Sequence, residues 1–216
     1  FDKTVWDESS TIEQPGLGIK NFWTYSNIAP LGDQKDMILN SSDELNAINP
    51  FYISGATDSW ITELVWDRMM RIGPTGLAEP WAAESVEWGD DAKSVTITLR
   101  DGMTWHDGKP VTADDVVFSF TAPVKFAPMY KPFVDGIANI EVVDSSTIRF
   151  DLKEPNAAFE TSTLAKLNLV PKHVWEPLLA ALEEGGSAES ILEESRIGSG
   201  PFKFNRWATQ QEVVLD

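Results

Sequence analysis

The residues that could do chemistry in this chain are few, and their spacing speaks against most reactions. The only histidines are His106 and His173. They stand far apart, and neither belongs to the His-Glu-x-x-His arrangement that puts two imidazoles on one helix face for zinc. His106-Asp107-Gly108 could imitate a base with its orienting carboxylate. Adjacent side chains on a turn point apart, however, and Asp before Gly is ordinary turn chemistry. Gly198-Ser199-Gly200 lacks the spacing of the Gly-x-Ser-x-Gly nucleophile elbow, and Lys203 lacks the Gly-Lys-Ser/Thr context of a phosphate loop. Asp90-Asp91, Asp114-Asp115 and Glu183-Glu184 are neighbours, whereas glycosidase acids face each other across a sugar from separate elements. With no cysteine, thiolate catalysis, thiolate metal sites and disulfides are excluded. The expectation is therefore no catalytic residue, no metal site and no cofactor.

Composition narrows the partners. Lys and Arg total 17 against 34 Asp and Glu, a formal charge of 17 minus 34, or -17, spread along the chain. No run of bases is available to displace counterions, so nucleic acid is set aside as a partner. No window holds the 18 or so consecutive apolar residues of a membrane span, and the first residues lack the basic-then-apolar layout of a signal peptide. At 42% hydrophobic and 11% aromatic, 216 residues can bury a proper core.

Several elements must build that core. Residues 1–36, with Pro15, Gly16, Gly18, Pro30 and Gly32 between isolated aromatics, read as an irregular arm. Met37-Ile38-Leu39-Asn40 reads as a short strand, followed by a loop through Asn49-Pro50-Phe51-Tyr52. Ile61, Leu64, Val65 and Met69 share one face of a helix capped by Asp58 or Ser59. Val86 and Trp88, then Gly89-Asp90-Asp91, then Val95, Ile97 and Leu99 in alternation with polar residues, predict a β-hairpin. Thr112 caps a helix through Phe118. Ile140 and Val142, Asp144-Ser145-Ser146, and Ile148, Phe150 and Leu152 predict a second hairpin. Helical segments follow near 156–165 and 172–183, with an acidic solvated face, and a third hairpin begins at Phe202. Strands mixed with helices predict an α/β (mixed α+β) layered domain.

Nine tryptophans are many for this length. Most are expected in the core, with Trp60, beside the strand-end loop, as the exception that faces a ligand cleft.

Leu77-Ala78-Glu79-Pro80-Trp81-Ala82-Ala83-Glu84 and Arg100-Asp101-Gly102-Met103-Thr104-Trp105-His106-Asp107-Gly108-Lys109-Pro110-Val111-Thr112-Ala113-Asp114-Asp115-Val116 resemble the signature stretch of the peptide/nickel solute-binding family (family 5) of ABC importers. Leu152-Lys153-Glu154-Pro155, Val170-Pro171-Lys172-His173 and Gly198-Ser199-Gly200-Pro201-Phe202 continue it in the family's order, over roughly residues 37–216. The resemblance implies a two-lobed periplasmic-binding-protein-like fold. Residues 37–216 would be its N-terminal lobe, truncated at the C-terminal end with most of the second lobe missing. It also implies a periplasmic or extracellular monomer, a lipoprotein if a removed N-terminal cysteine carried a lipid. That protein would capture a peptide or other small-molecule solute and deliver it to ABC permease subunits in the membrane. The cleft loop of the family maps here onto residues 49–60, which makes Asn49, Phe51, Tyr52, Ser59 and Trp60 the expected ligand-binding residues. Met129 and Tyr130 form a second patch. The segment from Trp105 to Pro110 is expected to be structural. Two alternatives stand beside this reading: a secreted hydrolase, and a sensor domain that reuses the binding fold.

Overall fold

The computed structural model describes residues 44–51, 53, 55–73, 75–185 and 195–216. The expected arm over 1–36, the strand at Met37 to Asn40, the boundary between residues 36 and 37, and Tyr52 lie outside the described residues. All the described residues belong to the compact unit that runs from Ser42 to Asp216.

The first element is helix α1, Ala56–Val65. Gly55 is its N-cap rather than Asp58 or Ser59. Asp58 sits a turn inside, fully buried, where its Oδ1 accepts the Asn46 N–H at 2.9 Å and so ties the preceding loop to the helix. The buried stripe is Asp58, Thr62 and Val65, and the helix stops four residues before Met69. Its arrest has a physical reason. The Met69 carbonyl accepts the N–H groups of both Trp81 and Ala83, and Met70–Ile72 (β1) pairs antiparallel with Ala78–Pro80 (β2). Gly76, with φ of +81°, supplies the left-handed position that this short turn needs.

A four-stranded antiparallel sheet follows, built from β3 (Ala83–Trp88), β4 (Ser94–Leu99), β5 (Ile137–Val142) and β6 (Thr147–Leu152) in the order β3-β4-β6-β5. Both of the first two expected hairpins are there. Strict alternation along β4 and β6 buries Val95, Ile97 and Leu99 beside Ile148, Phe150 and Leu152 on one face, leaving Thr96, Thr98 and Arg149 on the other. Helix α2, Ala113–Thr121, covers the apolar face through Val116 and Phe120, and the Phe120 and Phe150 rings meet edge to face at 5.3 Å.

One carboxylate organises this helix. Asp115 accepts the N–H and the hydroxyl of Thr112, each at 2.9 Å, which fixes the N-terminus that Thr112 was expected to cap. It also accepts the Trp105 indole N–H at 3.3 Å and the Lys172 N–H at 2.8 Å. Lys172 opens α4, Lys172–Glu183, so Asp115 holds two helices and the turn around Trp105 together. The stretch before α4 is a single π-helical turn at Glu160–Leu164 rather than the longer helix expected over 156–165. Short α3, Lys131–Val134, precedes β5, and the third hairpin pairs β7 (Phe204–Ala208) with β8 (Glu212–Leu215).

Candidate functional site

The expected site residues come from three parts of the chain, and the fold brings some of them together. Ser59 lies on α1 and Met129 and Tyr130 on a short 3-10 turn, Pro128–Tyr130, yet all three line one depression of about 280 Å³. Glu63, Arg68, Phe133 and Lys166 complete much of its wall. The arrangement is held from below. Arg68 bridges to Asn168, with its Nε donating to Asn168 Oδ1 at 3.1 Å, and Asn168 Nδ2 donates to the Pro50 carbonyl at 2.9 Å. Thr163 in the π turn donates to the Phe133 carbonyl at 2.7 Å. The loop before α1, α1 itself, α3 and the π turn are thereby fixed around the depression.

The other expected residues have different surroundings. Phe51 is buried, its ring edge to face with Tyr130 at 5.7 Å and Trp175 at 5.5 Å, so it stands behind the wall rather than on it. Asn49 folds its own loop, its Oδ1 accepting the Phe51 N–H at 2.8 Å. Trp60 is 53% exposed on the outer side of α1, one residue from Ser59, and Met129 is equally exposed at 53%. Of the other tryptophans, Trp66, Trp105 and Trp175 are core residues, whereas Trp81 and Trp88 are partly open. Burial raises the Tyr130 phenol above its ordinary value, against the lowering effect of nearby Arg68, so Tyr130 stays a neutral donor at physiological pH.

Glu63, Arg68 and Lys166 were not legible as site residues. Their membership depends on tertiary contacts, and the only sequence signal is Lys166, a single base between Ala165 and Leu167, both of which are buried. Electrostatically the three are not equivalent. Glu63 Oε1 and Arg68 Nη1 form an ion pair at 2.9 Å, and Ser59 Oγ reaches toward the same carboxylate at 3.5 Å.

A second depression, about 240 Å³, lies near the other end of α1 between Asp67, Trp81, Arg100 and the segment Ser199 to Pro201. Asp67 is buried and accepts the Trp81 indole N–H at 2.6 Å. Burial pushes its carboxyl above the usual range, outweighing that hydrogen bond and the charge of Arg71. The Arg71 guanidinium carbon lies over the Trp81 ring, 3.5 Å from its centroid. The Gly198-Ser199-Gly200 backbone is packed against the end of α1: Gly200 N–H donates to the Val65 carbonyl at 2.9 Å, and a Cβ on Gly198 would collide with the same oxygen.

His106 belongs to this packing. Gly198 N–H donates to its Nδ1 at 3.2 Å, so the proton of the neutral ring sits on Nε2, which donates to the Gly200 carbonyl at 2.9 Å. Asp107 pairs instead with His173, Oδ2 to Nε2 at 2.7 Å. His106 and Asp107 are thus not a base and its orienting group, and the turn from Trp105 to Pro110 is structural in this fold: Trp105 and Lys109 close it at 2.8 Å. Among the described residues no cluster of three or more His, Asp or Glu side chains could hold a metal ion, and no helix is long and apolar enough to cross a membrane.

Comparison with known proteins fits this geometry. Residues 78–216 match the profile of bacterial extracellular solute-binding proteins, family 5, middle part. The chain is 30% identical over 189 residues to the probable peptide-binding protein YejA of Agrobacterium fabrum, covering 87% of this chain and 30% of that one. Among solved structures, the oligopeptide-binding protein AppA of Bacillus subtilis in complex with a nonapeptide matches with a TM-score of 0.70 at 26% identity, covering 82% of this chain and 35% of the other. NikZ of Campylobacter jejuni in complex with Ni(L-His) matches with a TM-score of 0.61 at 28% identity, covering 77% and 32%. The chain thus spans about a third or less of the length of the relatives it matches, and its mixed α/β fold is part of the two-lobed architecture of periplasmic binding proteins. The family consists of substrate-binding proteins that act outside the cytoplasm. By the profile matched over more than half its residues, the chain belongs to the bacterial extracellular solute-binding proteins of family 5.

Proposed function

We propose that this chain is part of the substrate-binding component of an ABC importer, which captures an oligopeptide or similar solute outside the membrane and delivers it to the permease. Residues 37–216 serve as its N-terminal lobe. The observation that carries this reading is the convergence of Ser59, Met129 and Tyr130 on one depression from separate parts of the chain. At about 280 Å³ it falls just below the roughly 300–1,000 Å³ of a complete small-molecule site, the size of a subsite for one side chain. A second lobe provides the opposing wall and closes over the solute. Met129 gives apolar contact area in the depression, Tyr130 a wall with a polar tip, Ser59 a hydrogen-bonding group, Phe51 the support behind Tyr130, and Trp60 an exposed apolar face one residue from Ser59. Asn49 shapes the loop, with Tyr52 a further contact from the same loop. The protein works as a monomer outside the membrane.

The test is titration of the native-length protein, followed by tryptophan fluorescence and calorimetry, with pooled peptides, oligosaccharides and nickel–histidine in turn. One pool is expected to saturate, and Trp60→Ala and Met129→Ala are each expected to weaken it about five- to tenfold, the cost of roughly 1 kcal/mol of lost apolar contact. Absence of binding in every pool, or turnover of a bound solute, would defeat the proposal.

A further inference from the structure

The depression beside Tyr130 carries three charged side chains, and two of them cancel. Glu63 is paired with Arg68 at 2.9 Å. The Arg68 guanidinium is spent further on Asn168 Oδ1 and on the Ala165 carbonyl at 3.3 Å. Lys166 is different. It is exposed at the end of the π turn, lines the depression, and its ammonium has no carboxylate or carbonyl partner among the described residues. The apolar part of the same wall is Ile53, Met129, Phe133 and the ring of Tyr130. Of the two bases that line this depression, Arg68 is in an ion pair and Lys166 is not, so Lys166 is the cation this wall offers outward.

We propose that Lys166 receives a carboxylate of the bound solute while a neighbouring apolar side chain of the same solute lies in the depression against Met129, Tyr130 and Phe133. This rests on the solute-binding reading and gives it a chemical class: peptides or peptide-like solutes that place a free carboxylate next to an apolar side chain. The carboxylate has two sources in such a solute, the C-terminus and an acidic side chain. The overall negative charge repels anions at long range, so the preference has to arise at contact, where a hydrogen-bonded charge pair in a partly dry site outweighs a screened field.

The experiment is calorimetric titration of the native-length protein with matched peptides. One pair differs only in a free against an amidated C-terminus, and a second, amidated pair only in Glu against Gln. The parent is expected to favour the carboxylate of one pair about tenfold, the scale of one charged hydrogen bond. Lys166→Arg keeps that preference, and Lys166→Met reduces the affinity ratio between the two members of the responding pair to within about twofold. The pair that responds identifies the source of the carboxylate. A preference that survives in Lys166→Met, or a parent that binds both members of each pair equally, overturns the role of Lys166 and leaves solute binding intact. A parent that binds none of the peptides refutes peptide capture itself. Because Lys166 is solvent-exposed, unchanged circular dichroism and melting of both variants separate lost recognition from lost folding.

Discussion

Asp67 is a carboxylate kept out of water, and its cost depends on pH. Burial raises its folded pKa above the ordinary 3.8, so folding favours the protonated form. The stability that this shift contributes is present in full below the ordinary carboxylate range and is lost as the pH rises through the elevated folded value. Asp67→Asn keeps an acceptor for the Trp81 indole and has no charge to bury. The variant is expected to unfold at higher urea than the parent at pH 7, with the gap closing as the pH falls toward about 3. A variant weaker than the parent at neutral pH would mean that attraction to Arg71 outweighs desolvation. At this scale the sequence was informative about function only in part. Ser59, Met129 and Tyr130 do meet in space, but Phe51 turned inward because an edge-to-face stack with Tyr130 and Trp175 consumes its ring. Whether an aromatic in a loop lines a cleft or supports it depends on neighbours that arrive from far along the chain, and spacing carries no trace of them.

Among the elements, those with a two-residue period were readable and those held by long-range contacts were not. The hairpins of β3 with β4 and β5 with β6 follow from alternation and their Asp-containing turns. The start of α2 followed from Thr112. The end of α1 did not follow, because Met69 continues the helical period and yet its carbonyl is taken by the sheet-like backbone of Trp81 and Ala83. Nor did the reach of Asp115, which on sequence is only the third residue of a helix. Its four accepted hydrogen bonds join Thr112, Trp105 and Lys172 in a site only 5% exposed. Asp115→Ala leaves buried donors without acceptors and is expected to cost roughly 3 kcal/mol or more, read as a lowered denaturation midpoint. Asp115→Asn, which retains one acceptor oxygen, is expected to fall between the two. Equal midpoints for Asp115→Ala and the parent would show that water replaces the carboxylate at no cost.

The molecule as a whole is acidic beyond the need for solubility. With 34 acids and 17 bases, self-repulsion works against the compact state. The attractive pairs that could offset it are mostly exposed, such as Lys93 with Glu154 and Arg206 with Glu212, and such pairs contribute little. Raising sodium chloride from about 20 mM to about 300 mM shortens the screening length severalfold and is expected to raise the melting temperature by about 2–4 °C. A fall instead would mean that the attractive pairs dominate.

The segment Ile197 to Gly200 closes against the end of α1, where the Trp66 indole donates to the Ile197 carbonyl at 3.1 Å and Gly198 and Gly200 lie on the Val65 carbonyl. Two points 131 residues apart in sequence are therefore a hydrogen bond apart in space. The stretch between them, which includes the four-stranded sheet, α2 and α4, is also tied to the loop before α1, by Asn168 on the Pro50 carbonyl and by the Tyr130 and Trp175 rings on Phe51. The stretch is thus a loop with a clasp, and the clasp depends on residues small enough to let two backbones touch: a Cβ at position 198 would meet the Val65 carbonyl, and one at position 200 the Leu64 carbonyl.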